Sequence, residues 1–408
     1  MTVKSMETVA EIPQRMTARK RRKALILEAA IVAVVALILL FVMPPLLTAI
    51  GQGVRVNQLG RFLALAIVAL GIDLIWGYTG LLSLGHGIFF ALGGYAFAMF
   101  LQLQPIPGQP PGQIPEFFSL YGVNQLPAFW QPFYSLPFTL LAVVLVPAIV
   151  AAVLGYLVFR NRIRGVYFSI LTQAALIVFF NFFNGQQKLI NGTNGLKTDT
   201  ATLFGLQVGS SPMIQGGFYA LSVLLLAAGY ALCRWITSGR MGRMLVAIRD
   251  DETRVRFSGY NPTGYKVFVF AISAALAGVA GALYTVQSGI ITPKAMDVAF
   301  SIEMVIWVAV GGRATLVGAI LGALIVNFAR TLLSEQYPEF WLFFQGALFL
   351  IVVTVLPSGI LGWFRTDGIN WVRSLIGRPQ LVQTYPSLES DPEVVYERET
   401  LGDRESDR

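Results

Sequence analysis

Residues 238–261 read SGRMGRMLVAIRDDETRVRFSGYN, a densely charged stretch that separates two long apolar runs. These runs, at 217–236 and 267–284, approach the roughly 20 apolar residues that cross a bilayer as a helix. The charged stretch is therefore predicted to be a polar connection between two membrane spans. A chain organised in this way is expected to cross the membrane several times.

The charged stretch itself predicts a helix over about 244–257 that Gly259 ends. Three apolar side chains recur at helical spacing and make a narrow stripe, namely Leu245, Ile248 and Val255. Two acid–base pairs stand four residues apart in the favourable acid-first order, Asp250 with Arg254 and Glu252 with Arg256.

Two interpretations of this helix stay open. It is either a solvated loop or a docking helix that a soluble partner protein binds. In the second case the apolar stripe supplies buried contact area. Arg249, Asp250 and Glu252 then set its orientation and register.

Composition places the chain among membrane proteins. The 408 residues are 55% hydrophobic and only 13% charged, whereas soluble proteins carry about 25% charged residues. The single cysteine, Cys233, excludes an internal disulfide, and the single histidine, His86, argues against a histidine-rich metal site. No metal site or catalytic set is predicted. The chain also lacks the Gly-x4-Gly-Lys-Ser/Thr phosphate loop, so it is not an ATPase of that type.

Hydropathy predicts an all-α polytopic membrane protein with about ten transmembrane helices. The candidate spans lie at 24–47, 59–77, 82–101, 136–159, 165–184, 217–237, 265–287, 300–312, 315–333 and 339–356. The eighth is too short for an ordinary span and is expected to be tilted, broken or completed by the Gly311-Gly312 turn.

Basic residues set the predicted orientation. With both termini in the cytoplasm, 24 of the 30 Lys and Arg residues fall in cytoplasmic segments. The net charge of +8 therefore reflects topology rather than nucleic-acid binding. Three regions follow: a basic cytoplasmic segment at 1–23, a transmembrane domain at 24–364 that holds the cytoplasmic loop 238–261, and a polar tail at 365–408 predicted to be disordered.

A glycine-rich stretch at 77–95 reads GYTGLLSLGHGIFFALGGY. In a membrane, glycine permits either close helix packing or a broken segment that faces a cavity. His86 stands within it as a packed histidine bonded to a neighbouring helix or as a residue near a translocation path. The candidate glycines are Gly85, Gly87 and Gly93, with Gly318 and Gly322 of a later small-xxx-small face.

Two acidic residues, Asp73 and Glu303, lie inside apolar runs. A charge at the bilayer centre costs about 2.5–3.5 kcal/mol on insertion scales, so such residues usually face a cavity or a partner. Each is therefore a pathway-lining candidate, with structural pairing or a position near a membrane interface as the alternative.

Four segments in this order resemble the permease subunits of ABC importers for branched-chain amino acids and their urea-transporting relatives. They are the stretch at 77–95, RGVYFSILTQA at 164–174, the charged stretch and following span at 239–283, and GGRATLVGAILGALIV at 311–326. The resemblance covers most of 58–362. Within the family, NGTNGL at 191–196 and the region 326–362 look more like the urea branch.

The resemblance implies a non-enzymatic transport subunit in the bacterial inner membrane. Its expected partners are a second homologous permease, two cytoplasmic ATP-binding subunits, a periplasmic binding protein and membrane lipid. ATP and Mg would bind the ATPases, and this chain would bind no cofactor. The expected substrate is urea, with branched-chain amino acids as the first alternative and a passive small-solute channel as the second.

Overall fold

The computed structural model describes residues 18–105, 114–337, 341–355 and 359–363. Most of the basic segment at 1–23, residues 106–113 and the polar tail at 365–408 lie outside the described residues. The predicted disorder of the tail therefore stays a prediction.

The described chain is almost entirely helical. Its α-helices are α1 (Ala18–Leu37), α2 (Met43–Ala49), α3 (Val54–Thr79), α4 (His86–Gln102), α5 (Glu116–Leu120), α6 (Leu136–Arg160), α7 (Val166–Gly185), α8 (Gln187–Ile190), α9 (Pro212–Ser238), α10 (Arg240–Phe257), α11 (Pro262–Ser288), α12 (Val298–Gly311), α13 (Leu316–Gln336), α14 (Trp341–Val355) and α15 (Gly359–Trp363). A π-helical turn, Ile38–Val42, joins α1 to α2.

Among the described residues, seven helical segments are long and apolar enough to cross a membrane. They are Ile26–Ala49, Val54–Thr79, Leu136–Arg160, Val166–Gly185, Pro212–Ser238, Pro262–Ser288 and Leu316–Gln336. Two further apolar helices, α4 and α12, are shorter. The chain is a polytopic all-α membrane protein, as the composition predicts.

The third predicted span is shorter than the sequence suggested. Hydropathy placed it at 82–101, but α4 begins only at His86. Gly80 adopts a left-handed conformation with φ of 73° and ends α3, and the residues between the two helices are not helical. The glycine-rich stretch therefore contains a broken segment. Hydropathy could not reveal it because these non-helical residues are apolar as well.

The start of α4 is buried, and hydroxyl groups of other helices satisfy its backbone. The amide of Leu84 donates to Thr172 Oγ1 at 3.1 Å, and the amide of Gly87 donates to Ser301 Oγ at 3.2 Å. Away from water an unsatisfied amide costs several kcal/mol, on the order of the loss of a full hydrogen bond. These two side chains therefore make a helix start possible within the protein interior.

Helix α11 lies at the centre, packed against α3, α4 and α6. A Cβ atom on Gly93 of α4 would overlap the backbone of Gly278 of α11, and a Cβ on Gly278 would meet the Val143 carbonyl of α6. The glycines thus let three backbones approach closely, which is the role of small residues in membrane helix packing.

The two ends of the bundle differ. The end that carries α10, here called the α10 end, gathers the end of α3, the α6–α7 connection and the α12–α13 turn. The opposite end, here called the loop end, holds four short strands. They are β1 (Leu196–Lys197), β2 (Thr202–Leu203), β3 (Leu206–Gln207) and β4 (Ile290–Ile291), with antiparallel pairs β1–β4 and β2–β3.

Candidate functional site at the α10 end

Helix α10 is longer than predicted and is broken. It begins at Arg240 instead of Met244, and Asp251 has extended backbone angles (φ −154°, ψ 96°). Asp251 Oδ1 accepts the amides of Thr253 and Arg254 at 2.8 and 3.1 Å. The aspartate therefore caps the second piece of α10. The hydrogen bonds from the amides of Arg254 and Thr253 hold the pKa of the Asp251 carboxyl below its usual value. The prediction of one continuous helix over 244–257 is therefore wrong, because Asp251 interrupts it.

The break changes one of the two predicted ion pairs. Asp250 and Arg254 lie on different pieces of α10 and do not pair. Instead Arg254 pairs with Asp251 at 3.0 Å, and Asp250 pairs with Arg249 at 3.2 Å. The second predicted pair, between Glu252 and Arg256, is confirmed at 2.7 Å because both residues follow the break.

The apolar stripe faces the protein itself. Leu245, Ile248 and Val255 are 0%, 3% and 7% exposed. Helix α10 packs back on the ends of α3, α9 and α11, which cover these side chains. The expectation that the stripe supplies contact area to a partner is therefore wrong. An amphipathic pattern shows that a face is buried but does not show what buries it.

Glu252 fastens α10 to two other elements. Its carboxylate accepts hydrogen bonds from Lys266 at the start of α11 and from Arg256, and it lies 3.1 Å from Nε of Arg164 in the α6–α7 connection. Burial raises the pKa of Glu252, but the hydrogen bonds from Lys266 and Arg256 and the nearby positive charges outweigh it and leave the pKa lowered. Glu252 is therefore ionised at neutral pH.

Arg249 makes the corresponding link to α3. Its Nη1 donates to the carbonyl of Gly77 at 2.9 Å, and its side-chain carbons lie beside Gly80. The charged stretch and the glycine-rich stretch, separate in the sequence, thus meet at the α10 end.

The outward surface of α10 is short and mixed in character. Phe257 is 88% exposed, and Tyr260 just after the helix is 52% exposed. The side chain of Arg254 is 88% exposed and that of Asp250 is 63% exposed. These side chains are therefore accessible to another molecule, whereas the apolar stripe is not.

Asp73 lies fully buried near the α10 end. Its Oδ1 accepts the amide of Ala314 at 2.7 Å, and Ala314 has a φ of 58° in the turn between α12 and α13. Tyr78 also donates to the carbonyl of Ala314. Asp73 therefore holds the α12–α13 turn against α3.

His86 is a packed residue at the start of α4. Ser273 of α11 donates its only hydroxyl proton to the Gly71 carbonyl, so its oxygen accepts from His86 Nε2 at 2.7 Å. Phe89 and Phe270 pack edge-on against the imidazole with ring centroids at 5.7 and 6.1 Å. The single histidine thus joins α4 to α11, as the first of its two interpretations expects.

The remaining candidate glycines lie at close helix contacts. A Cβ on Gly85 would approach the Thr172 carbonyl to 2.8 Å, and one on Gly87 would approach the Ala295 carbonyl to 2.7 Å. Gly318 and Gly322 of α13 lie against the backbone of α12, where a Cβ on Gly318 would approach the Gly311 carbonyl to 2.6 Å. Small residues at these positions allow the helices to pack closely.

Glu303 has a partner that the sequence analysis did not identify. Arg330 Nη1 donates to both carboxylate oxygens at 2.8 Å. Glu303 and Arg330 are ionisable residues in neighbouring apolar runs, which could have indicated an ion pair. Because they are 27 residues apart, no local sequence pattern predicts that they meet. Arg164 and Lys266 were missed for the same reason. Among the described residues, no group of three or more His, Cys, Asp or Glu side chains is arranged to hold a metal ion.

Comparison with known proteins decides the family. A family model described as "Branched-chain amino acid transport system / permease component" matches residues 54–353. This chain belongs to that family. The match includes α3 to α13 and leaves α1 and α2 outside. The family prediction is therefore confirmed, whereas the urea branch within it is not.

The permease is similar to several characterised transport proteins. It is 28% identical over 316 residues to the high-affinity branched-chain amino acid transport system permease protein LivM of Salmonella typhimurium, covering 72% of this chain and 67% of LivM. It is 27% identical over 312 residues to LivH of Escherichia coli, covering 73% and 91%. It is 25% identical over 228 residues to the ribose import permease protein RbsC of Haemophilus influenzae, covering 54% and 68%. No solved structure matches the permease.

Proposed function

We propose that this chain is the transmembrane permease subunit of an ATP-driven ABC importer for branched-chain amino acids. The observation that carries the proposal is the family match over 54–353, supported by similarity to LivM and LivH. These relatives favour amino acids over urea, so the urea interpretation of NGTNGL at 191–196 becomes the second candidate. A passive channel is disfavoured because the matching family and the relatives are described as permease components of transport systems.

The proposed assembly contains a second homologous permease, two ATP-binding subunits and a periplasmic binding protein. Both termini and the α10 end face the cytoplasm, in agreement with the distribution of 24 of 30 basic residues. ATP and Mg bind the ATPases and not this chain. The loop end then faces the periplasm, where the binding protein delivers substrate.

Helix α10 is the proposed contact with an ATPase. The exposed surface around Phe257 and Arg254 docks, while the buried stripe and Glu252 keep α10 attached to the permease. A movement of the ATPase then passes through the Glu252–Lys266 contact to α11 and alternates access to a central path.

Substrate class is tested by uptake. Cells deleted for this gene alone are compared with the parent and with a complemented strain for uptake of labelled leucine and labelled urea. Loss of leucine uptake with unchanged urea uptake is expected. Loss of urea uptake alone would overturn the substrate assignment in favour of the second candidate.

Docking is tested at the exposed ring. Phe257→Ala truncates the proposed anchor, and a hot-spot truncation costs at least about 2 kcal/mol of binding. The ATPase is expected to be lost from purified membranes while insertion of the permease stays normal. The matched control is Phe204→Ala, because Phe204 is 84% exposed but lies at the loop end. Equal ATPase retention in both variants would exclude the docking role. Ile248→Asp is unsuitable, since it places a charge in the permease interior.

A further inference from the structure

A cavity of about 380 Å³ opens at the loop end. Its wall comes from α4, α11, β4, the 3-10 turn Pro293–Met296, α12, α13 and α14. The volume lies within the range of about 300–1,000 Å³ that is typical of small-molecule sites.

Part of the cavity wall is aromatic and aliphatic. Phe90 of α4 packs edge-on against Tyr284 of α11 and Phe300 of α12, with ring centroids at 5.4 and 5.5 Å. Ile290 and Ile291 of β4 complete this apolar surface. Phe90 is one helical turn after the buried start of α4, so the cavity reaches from the loop end toward the broken segment.

The wall also carries two acids and two bases. Glu303 and Arg330 pair with each other through both carboxylate oxygens, so their charges are already compensated. Lys294 and Asp297 are exposed, and neither makes an ion pair with any described residue. The cavity therefore offers one uncompensated cation and one uncompensated anion beside an apolar surface.

We propose that this cavity binds a zwitterionic amino acid with an aliphatic side chain. The carboxylate of the ligand lies at Lys294, its ammonium group lies at Asp297, and its alkyl group lies on Phe90, Tyr284 and Phe300. Charge-assisted hydrogen bonds fix the two polar ends, and burial of the alkyl group adds affinity. Urea has neither an alkyl group nor opposite charges and leaves both the apolar and the charged groups of the wall unused. This site deepens the proposed function and rests on it.

Binding to the importer without its periplasmic binding protein tests the site directly. The purified complex of permeases and ATPases is placed in nanodiscs, and equilibrium binding of labelled leucine is measured up to millimolar concentration. Lys294→Gln and Asp297→Asn are each expected to weaken binding about tenfold or more, since hydrogen bonds to charged groups are the stronger ones. Lys294→Arg keeps the charge and is expected to retain most of the binding.

Matched controls come from the same end of the bundle. Lys188 and Glu116 are exposed, are not part of the cavity wall and make no ion pair among the described residues. Lys188→Gln and Glu116→Gln are therefore expected to leave leucine binding unchanged. Two leucine analogues separate the two contacts: isocaproate lacks the ammonium group, and isoamylamine lacks the carboxylate. Asp297→Asn should weaken isoamylamine but not isocaproate, and Lys294→Gln should do the reverse.

The outcomes separate this site from the proposed function. Equal leucine binding in the cavity variants and the controls would overturn the site, as would an absence of leucine binding to the complex. If cells still take up leucine through the importer in that case, the proposed function stands without the site. If the parent cells show no leucine uptake that depends on this gene, the proposed function itself fails.

Discussion

The contact between Glu252 and Lys266 makes a quantitative prediction for α10. In Glu252→Gln the carboxylate is replaced by a neutral amide of the same shape, and the Lys266 ammonium, whose side chain is 4% exposed, loses its counterion. Removing one partner of a buried ion pair costs about 3–5 kcal/mol. The Phe159 ring lies 5.5 Å from the ammonium and compensates part of this loss.

The two arginines contribute less to the total. The side chains of Arg164 and Arg256 are 46% and 29% exposed, and such pairs contribute about 0–1 kcal/mol each because water screens them. If the Phe159 ring returns about 1 kcal/mol, the net cost of Glu252→Gln is about 2–4 kcal/mol, expressed as local opening of the second piece of α10. At 1.4 kcal/mol per factor of ten, amide hydrogen exchange there should accelerate about 30- to 700-fold.

Hydrogen exchange of the full importer in nanodiscs measures this effect. Asp250→Asn is the matched control, because it makes the same acid-to-amide change two residues away on a side chain that is 63% exposed. It should change exchange less than about threefold, as a surface substitution within about 0.5 kcal/mol does. Adding Lys266→Met to Glu252→Gln removes the stranded cation and should restore most of the protection. Equal exchange in Glu252→Gln and Asp250→Asn would refute the reasoning.

Three further predictions concern pH, packing and orientation. The pKa of Glu252 is lowered below its usual 4.5, so its contribution to the stability of α10 is present above that pH and is lost as the pH falls through the lowered pKa. The rate of amide hydrogen exchange in α10, corrected for the intrinsic effect of pH, should therefore stay constant around neutral pH and rise only below pH 4.5. Gly93→Leu at the α4–α11 contact should lower the free energy of unfolding of the purified permease by about 1–3 kcal/mol and so lower its melting temperature. Gly216→Leu is the control, because Gly216 has open space around it and the substitution should not change the melting temperature. Equal melting temperatures of the two variants would contradict the packing role of Gly93. In a cysteine-free background, an impermeant reagent should label Ser210→Cys in intact cells but not Ser390→Cys, and the opposite result would reverse the orientation.

Hydropathy predicted most of the helices because it depends on local composition. The predicted span at 265–287 and the observed Pro262–Ser288 differ by only a few residues. The broken segment before α4 was not located, because residues 80–85 are as apolar as the helices beside them and only the backbone contacts distinguish them. The short eighth span was predicted, and α12 is indeed a helix of 14 residues followed by a turn.

The site at the α10 end was predicted in position but not in its contacts. The ion pair between Glu252 and Arg256 depends only on helical spacing and could therefore be predicted from the sequence. The contact to Lys266 joins two elements across the fold, and no local pattern reports it. The break at Asp251 had a weak local signal, since aspartate is a favoured helix N-cap residue, but the regular apolar stripe pointed to a continuous helix.

The buried start of α4 has a consequence for how the protein is made. The Leu84 amide is satisfied by Thr172, which is synthesised 88 residues later, and the Gly87 amide is satisfied by Ser301, which is synthesised 214 residues later. Until those hydroxyls arrive, the start of α4 cannot enter lipid without unsatisfied amides. The third span therefore has to remain hydrated, or be shielded by the insertion machinery, until α12 has been made, so biogenesis of the bundle is completed from its C-terminal half.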